Sequence, residues 1–346
     1  MKIVVMAGGG GTRLFPLSTE DRPKQFIGVG GYSLIQHAVR RYRNAAATND
    51  LVIVTAEKYV PLMREQLREI GADGAHILGE PCRRSTAPAI TLAVKYIEEK
   101  LIGSGQAAEP IFVGTADHLI DPQERFDLYV RRSAELASAG KIVTLGIAPA
   151  LPETNYGYIK VPPRGKQDYA DVERFVEKPD LETAKEYVAS GRYYWNSGMF
   201  CFTAATLKEE LKAHKPELFD TFFRGTYADA LRNFPNAVSI SFDYAVAERS
   251  RRMAMVYADL DWRDVGGFPS FYEASPKDGN GNHIARAGET GGDTAAVRLL
   301  DCANNFIDVA RPVYAVGLKN LVVLEKDGAL YIADIEQAGR FKDLAK

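Results

Sequence analysis

The first part of the chain alternates short apolar runs with helical patterns. The runs are rich in Val and Ile and are bounded by turn residues, which is typical of strands buried on both faces. Strands are predicted at 3–6, 51–55, 75–78, 111–114 and 142–147, with helices between them at 34–43, 58–70 and 87–101. Strands that alternate with helices predict right-handed βαβ units and an α/β fold built on a Rossmann-like, mostly parallel sheet.

The pattern changes after about residue 150. Strands are predicted at 156–161, 172–176 and 253–258, and helices at 181–189, at 204–213 and around 216–233. The last stretch has short alternating runs separated by Gly, Asn and Asp, which predict a small C-terminal β appendage, interpreted as a short β-helix. We therefore expect two domains, residues 1–280 and residues 281–346.

Composition limits the classes of partner. The 346 residues carry a formal net charge of −2, so no global basic field gathers nucleic acid or anionic membrane. Cys82, Cys201 and Cys302 are far apart and form no C-x-x-C pair, which favours a reducing compartment. No apolar run approaches the roughly 20 residues that span a bilayer. We expect a cytoplasmic protein without nucleic-acid or membrane partners, in which any phosphate binding is local.

A glycine-rich loop follows the first strand in MAGGGGTRLFPLS. Its four glycines allow backbone N–H groups to surround an anion, and Arg13 and the RPKQF lysine, Lys24, supply positive charge nearby. The spacing matches neither the Rossmann nor the Walker A pattern. We interpret the segment as a phosphate-binding loop; a tight structural turn and an ordinary solvated lysine would also explain it.

Aspartates follow two of the predicted strands. Asp117 of TADH follows the strand at 111–114, and ADLDWRDVG, with Asp259, Asp261 and Asp264, follows the strand at 253–258. Ligands of open parallel sheets bind outside the carboxyl ends of the strands, and Mg²⁺ prefers oxygen ligands. The two segments together predict a shared metal, although each aspartate alone is as well explained as a turn or surface residue.

Two further segments offer groups that bind sugars. Glu177 in FVEKPD can accept hydrogen bonds from hydroxyl groups, and Asn196 in WNSGMF offers a donor and an acceptor. Lys178 has a backbone restrained by the proline that follows it. Trp195 and Phe200 are interpreted as core residues.

Taken together, these segments resemble the sugar-1-phosphate nucleotidyltransferases, and within them the mannose-1-phosphate guanylyltransferases. The resemblance extends from Ile3 to about Phe271. The long form of that family has an additional isomerase domain, which the resemblance does not include. The resemblance is carried, in order, by AGGGGTRLFPLS, PKQF, EPCRRSTAPAI, TADHLI, ETNYGYIK, RFVEKPDLETA, WNSGMF, ISFDYAVAE and DWRDVG.

The resemblance implies a nucleotidyltransferase, GT-A-like fold and a role for each matching residue. Arg13, Lys24, Asp117 and Asp264 would be catalytic, the two aspartates as ligands of Mg²⁺. The nucleotide would be bound by Gly8, Gly9, Gly10, Gly11, Thr12, Arg13, Lys24, Ser85, Thr86, Ala87 and Pro88. The sugar phosphate would be bound by Tyr156, Gly157, Glu177, Lys178 and Asn196.

The implied reaction is in-line attack of mannose 1-phosphate on the α-phosphorus of GTP, which yields GDP-mannose and pyrophosphate. Departures such as Ser85, where the family usually has Asn, leave other sugar 1-phosphates or nucleoside triphosphates open. Two functions of a different class also stay open: a regulatory protein that binds nucleotide-sugar without turnover, and an NAD-binding oxidoreductase. The absent glycine fingerprint disfavours the oxidoreductase. A homodimer is left open.

Overall fold

A computed structural model describes residues 1–9, 11–102, 108–285 and 296–344. Contacts divide the chain into two compact units. Unit 1 comprises residues 1–8, 39–115 and 120–262, and unit 2 comprises 9–38, 116–119 and 263–346. Unit 2 thus combines early segments with the C-terminal part of the chain. The predicted division at residue 280 stays a prediction.

The strands and helices of the described residues are as follows, in chain order. The strands are β1 (Lys2–Met6), β2 (Gly28–Val29), β3 (Tyr32–Ser33), β4 (Leu51–Ala56), β5 (His76–Glu80), β6 (Pro110–Thr115), β7 (His118–Asp121), β8 (Ile142–Ile147), β9 (Gly157–Lys160), β10 (Tyr169–Asp171), β11 (Arg174–Glu177), β12 (Tyr193–Thr203), β13 (Met253–Ala258), β14 (Asp261–Asp264), β15 (His283–Ile284), β16 (Val297–Leu300), β17 (Phe306–Asp308), β18 (Val313–Val316), β19 (Leu321–Lys326) and β20 (Ala329–Asp334). The α-helices are α1 (Leu34–Tyr42), α2 (Val60–Glu69), α3 (Thr86–Tyr96), α4 (Gln123–Ser138), α5 (Leu181–Ser190), α6 (Ala204–His214), α7 (Pro216–Phe223), α8 (Tyr227–Asn233) and α9 (Phe268–Ala274).

Unit 1 is built on one large sheet. Its strand order is β10-β13-β8-β12-β6-β1-β4-β5, and β9 and β11 join it through β12. The pairs β13–β8, β6–β1, β1–β4 and β4–β5 are parallel, whereas β12 runs antiparallel to both of its neighbours on this path. The expectation of an α/β fold with a mostly parallel sheet is confirmed.

Local sequence explains several of these elements. The β-branched run of β1 is buried at its three central positions, as expected for a strand covered on both faces. Helix α5 begins after Asp180, whose carboxylate accepts a hydrogen bond from the Thr183 backbone N–H at 2.8 Å. It ends at Gly191, whose φ of 65° places it in the left-handed region that favours glycine.

The region predicted to be helical around 216–233 forms two helices. Helix α7 ends at Phe223, and Thr226 starts α8 with a capping box that Asp229 completes. The cap fixes a new helix start, because the Thr226 side chain accepts a hydrogen bond from the Asp229 backbone N–H. This N–H lies in the first turn of α8 and has no partner within the helix.

Unit 2 has its own hydrophobic core, which joins both ends of the chain. Leu14, Leu34 and Val265 pack in one cluster with Phe306, Val322, Phe341 and other apolar residues. The C-terminal strands form small sheets: β15, β17 and β19 pair in parallel, as do β16 and β18. Phe306 pairs with Val322 and Val297 with Val313, so the chain returns to each sheet after 16 residues. This return is the pattern expected of stacked coils.

Within the described ranges, every helix is too short or too polar to span a lipid bilayer.

Candidate active site

Two carboxylates that are distant in sequence converge in unit 2. Asp117 follows β6, and Asp264 is the last residue of β14. The Val265 backbone N–H donates to the Asp117 carbonyl oxygen at 3.1 Å. This bond fixes the register at which the two segments meet and therefore places the two aspartates beside each other.

Lys24 lies between these carboxylates. Its Nζ is 2.5 Å from Asp117 Oδ2 and 3.9 Å from Asp264 Oδ1, and it donates to the Val265 carbonyl oxygen at 3.4 Å. Burial is the largest single influence and lowers the pKa of Lys24, but the attraction of Asp117 and Asp264 and the hydrogen bond to Asp117 together outweigh it, so its pKa is raised. Burial raises the pKa of Asp117, but Lys24 and His118 together outweigh it, so its pKa is lowered. Both groups are therefore charged at neutral pH.

Asp117, His118 and Asp264 form a group that can hold a metal ion. One ligand atom of each lies within 4.8 Å of the others. Asp264 Oδ1 is buried and has no hydrogen-bond partner in the described part of the chain. A buried carboxylate oxygen without a donor is costly unless a cation compensates for it, so the residues present fit a bound cation. The sequence alone favours a structural role for His118, and its inclusion in the group comes from the fold.

The glycine loop packs closely against the backbone of Lys24. Gly11 has a φ of 54°, and a Cβ added there would collide with the backbone nitrogen of Lys24. Only glycine allows this approach of the two segments. A Cβ on Gly266 would lie 3.8 Å from Arg13 Nη1 and 3.7 Å from Asp264 Oδ2, so the guanidinium and this carboxylate lie beside the same glycine.

For two other loop residues that were predicted to bind the nucleotide, the structure shows the backbone conformation. Gly9 has a φ of 114° and an open space where a side chain would be. Thr12 begins a 3-10 turn, Thr12–Leu14. Gly10 lies outside the described residues.

Of the other aspartates in ADLDWRDVG, Asp259 forms an ion pair with Arg125 instead of joining the group around Asp264.

In unit 1, the predicted sugar-binding residues Gly157, Glu177 and Lys178 meet at adjacent strand ends. Glu177 pairs with Gly157 across β11 and β9, and a Cβ on Gly157 would lie 2.7 Å from Glu177 Oε2. The side chain of Glu177 is only 11% exposed, and Lys178 Nζ lies 2.6 Å from its Oε1. The absent side chain at Gly157 therefore leaves room for a carboxylate that is buried against the backbone.

Asn196 belongs to a hydrogen-bonded chain that includes a residue missed by sequence reasoning. Its Oδ1 accepts from the Thr144 hydroxyl at 2.8 Å, and its Nδ2 donates to Asp243 Oδ1 at 3.1 Å. Burial and then the nearby Glu177 raise the pKa of Asp243 to about 6. Asp243 lies in ISFDYAVAE, a segment that carries the family resemblance, but spacing alone gave no reason to assign it a role.

Tyr156 contributes an aromatic surface to unit 1. Its ring meets those of Trp195 and Trp262 edge-on, with centroids 5.3 and 5.0 Å away. Trp195, interpreted from sequence as a core residue, is buried.

The predicted base-binding segment, residues 85–88, starts helix α3. Ser85 has a φ of 65°, and the Thr86 hydroxyl accepts from the Phe242 backbone N–H at 2.8 Å. The Ala87 backbone N–H donates to the Ile240 carbonyl oxygen at 3.1 Å. Ala87 and Pro88 are buried, and the Ala87 backbone N–H is already used in that bond.

Comparison with known proteins identifies the family of the chain. The family model described as nucleotidyl transferase matches residues 2–281. The chain is 39% identical to xanthan biosynthesis protein XanB of Xanthomonas campestris pv. campestris, over 99% of this chain and 72% of the relative. It is 38% identical to mannose-1-phosphate guanylyltransferase of Escherichia coli K12, over 96% of this chain and 70% of the relative.

A solved structure extends the similarity to the whole fold. The crystal structure described as mannose-1-phosphate geranyltransferase from Thermus thermophilus superimposes with a TM-score of 0.85 at 29% identity, covering 99% of this chain and 98% of the other. With a family model over most of its length and relatives above 30% identity, the chain belongs to the nucleotidyl transferase family.

Proposed function

We propose that this protein transfers the guanylyl group of GTP to α-D-mannose 1-phosphate, giving GDP-mannose and pyrophosphate. The observation that carries the proposal is the convergence of Lys24, Asp117 and Asp264 in a chain of the nucleotidyl transferase family. The choice of guanine and mannose is supported by relatives named mannose-1-phosphate guanylyltransferase that match nearly the full chain.

Mg²⁺ is the cation we propose for Asp117 and Asp264. Both offer carboxylate oxygens, the ligands that this hard ion prefers, and Asp264 Oδ1 is buried without a hydrogen-bond donor in the described part of the chain. When bound, Mg²⁺ would neutralise negative charge on the substrate phosphates and orient them. Two aspartates are also typical of magnesium sites that complete their coordination with phosphate oxygens and water.

The chain's own residues would act by positioning and charge compensation. A phosphate oxygen of the sugar 1-phosphate forms the new bond to the α-phosphorus, and the bond from that phosphorus to the β-phosphate oxygen breaks. Arg13 and Lys24 would offset the charge that develops on pyrophosphate. No general base is needed, because the attacking phosphate is already ionised at neutral pH.

The groups of unit 1 would bind the other substrate. Lys178, 57% exposed, would hold the phosphate of the sugar 1-phosphate, and Glu177 and Asn196 would bind sugar hydroxyls. The cytoplasmic location and the homodimer stay predictions.

A pyrophosphate-release panel tests the proposal. GTP, ATP, UTP and dTTP are each combined with mannose, glucose and galactose 1-phosphates in the presence of Mg²⁺. We expect the highest kcat/KM for GTP with mannose 1-phosphate. A higher value for another pair would reassign the substrates within the same reaction. Absent pyrophosphate despite tight binding of GDP-mannose would favour a regulatory protein without turnover.

A further inference from the structure

The ammonium group of Lys24 lies where a bound cation would need to be. Its Nζ is 2.5 Å from Asp117 Oδ2 and 3.9 Å from Asp264 Oδ1. These two carboxylates belong, with His118, to the group of unit 2 that can hold a metal ion. Mg²⁺ binds a carboxylate oxygen at about 2.0–2.1 Å. A metal ion on Asp117 and Asp264 would therefore compete with the ammonium group for the same carboxylates.

Positive side chains already balance the charge of these carboxylates. Lys24 lies between them, and the Arg13 guanidinium lies beside the same glycine as Asp264 and is near enough to repel Lys24. The side chains of Lys24, Asp117 and Asp264 are only 19%, 25% and 30% exposed, so water screens their charges less than at an open surface. A free divalent cation gains little attraction here while Lys24 stays in place, because the two cations repel each other.

The side chain of Lys24 runs past the glycine loop of the same unit. A Cβ on Gly11 would lie 3.0 Å from Lys24 Cβ and 3.1 Å from its Cγ, so the start of the side chain packs on this loop. The remaining carbons form a flexible stem with three rotatable donors at its end. An oxyanion bound on the loop would offer the ammonium group a second partner. Lys24 could then leave Asp117 without any movement of its backbone.

We propose that Lys24 keeps a free divalent cation off Asp117 and Asp264, and releases these carboxylates when a phosphate group binds its ammonium. The proposal rests on the proposed function, since it describes how the triphosphate and the cation enter the same site. The two ligands then bind with positive coupling, and each raises the affinity of the other by the same factor. The protein would take up its cation together with the phosphate.

The test measures the affinity for Mn²⁺ in the absence of nucleotide. Mn²⁺ prefers the same oxygen ligands as Mg²⁺, and its free concentration is read from its electron paramagnetic resonance signal. The wild type is compared with Lys24→Met, which removes the ammonium group but keeps an unbranched side chain. Lys277→Met is the matched control, because Lys277 is a lysine of the same unit that pairs with a different carboxylate, Glu273, at 3.6 Å.

Lys24→Met should bind Mn²⁺ more tightly than the wild type by roughly tenfold or more, which is within the usual range of coupling between two ligands. Lys277→Met should bind like the wild type, because the net charge falls equally but the two aspartates keep their lysine. Equal affinity of Lys24→Met and the wild type would overturn the proposal. An equal gain in both variants would also overturn it, since net charge alone would then explain the effect.

A second titration uses the wild type alone and decides the question if Lys24→Met does not fold, as judged by circular dichroism. Mn²⁺ affinity is measured in chloride and in sulfate at equal ionic strength, with a correction for the Mn²⁺ that sulfate itself binds. Sulfate has the shape and charge of a phosphate group, so it should bind Lys24 and raise the affinity for Mn²⁺ several-fold. An unchanged affinity would refute the role of Lys24.

These titrations need no turnover, so they separate this proposal from the proposed function. If no substrate pair releases pyrophosphate but Lys24→Met binds Mn²⁺ more tightly, the proposed function fails and the competition by Lys24 stands. If GTP and mannose 1-phosphate react but the Mn²⁺ affinities of the wild type and Lys24→Met are equal, the reaction stands and the competition is refuted.

Discussion

The two compact units treat their buried carboxylates differently. In unit 2, Lys24 lies between Asp117 and Asp264, and the pKa of Asp117 is lowered. In unit 1, burial raises the pKa of Asp243 to about 6 and that of Glu80 to about 7. A carboxylate beside a lysine keeps its charge, whereas a carboxylate whose pKa is raised by burial is stabilised by groups that donate hydrogen bonds to it. The difference parallels the roles proposed above, phosphate chemistry for the groups of unit 2 and sugar recognition for those of unit 1.

The largest effect is expected from Asp264→Asn. Removal of the charge that compensates for a cation should lower kcat by about a hundredfold or more, as when a transition-state stabiliser is lost, while the protein stays folded. Steady-state pyrophosphate release and circular dichroism check both parts. Asp259→Asn, in the same segment but paired with Arg125, is the matched control and should keep near-normal turnover. Near-normal turnover of the Asp264 variant would refute the metal assignment.

A smaller effect is expected from Lys178→Ala in unit 1. The KM for the sugar phosphate should rise roughly tenfold or more, the value of a charged hydrogen bond, with the KM for GTP little changed. Lys185→Ala removes a similarly exposed lysine on α5 and should change neither constant. The reverse split, with GTP affected, would place Lys178 in the nucleotide subsite.

The smallest effect on activity is expected from Gly157→Ala. The added methyl would meet Glu177 Oε2 and should move that carboxylate, raising the KM for the sugar phosphate by less than in the Lys178 variant. Overpacking should also lower the free energy of unfolding by about 1 kcal/mol, measured by urea denaturation. Gly165→Ala, which adds a methyl in open space, is the control. Equal behaviour of the two variants would show that Glu177 is not confined by Gly157.

The fold could be predicted where the hydrophobic pattern was strong. The expected strands at 142–147 and 253–258 agree with β8 and β13 at both ends, because each is an apolar run buried at every position. The break between α7 and α8 was missed because its signal, Thr226 followed by Asp229, is a capping motif and not a change of period.

The candidate site could be predicted only in part. Motifs identified Lys24, Asp117 and Asp264 separately, but their distances depend on long-range strand pairing that no local pattern specifies. Asp243 and Glu80 were not assigned, because the property that marks them is the environment of the carboxyl group. The burial that raises both pKa values, and the nearness of Glu177 to Asp243, appear only once the chain is folded.

The shared core of unit 2 limits how the chain can be shortened. Leu14, fully buried, packs in the same cluster as Phe341, and the Phe15 ring meets Tyr331 edge-on at 5.8 Å. Truncation of the last coil would therefore remove the apolar support beneath the residues that follow the glycines, although none of those residues would be altered. Fusions and insertions near the C-terminus must preserve the same packing. The carboxyl-terminal coils pack against a loop that lies more than three hundred residues earlier in the chain.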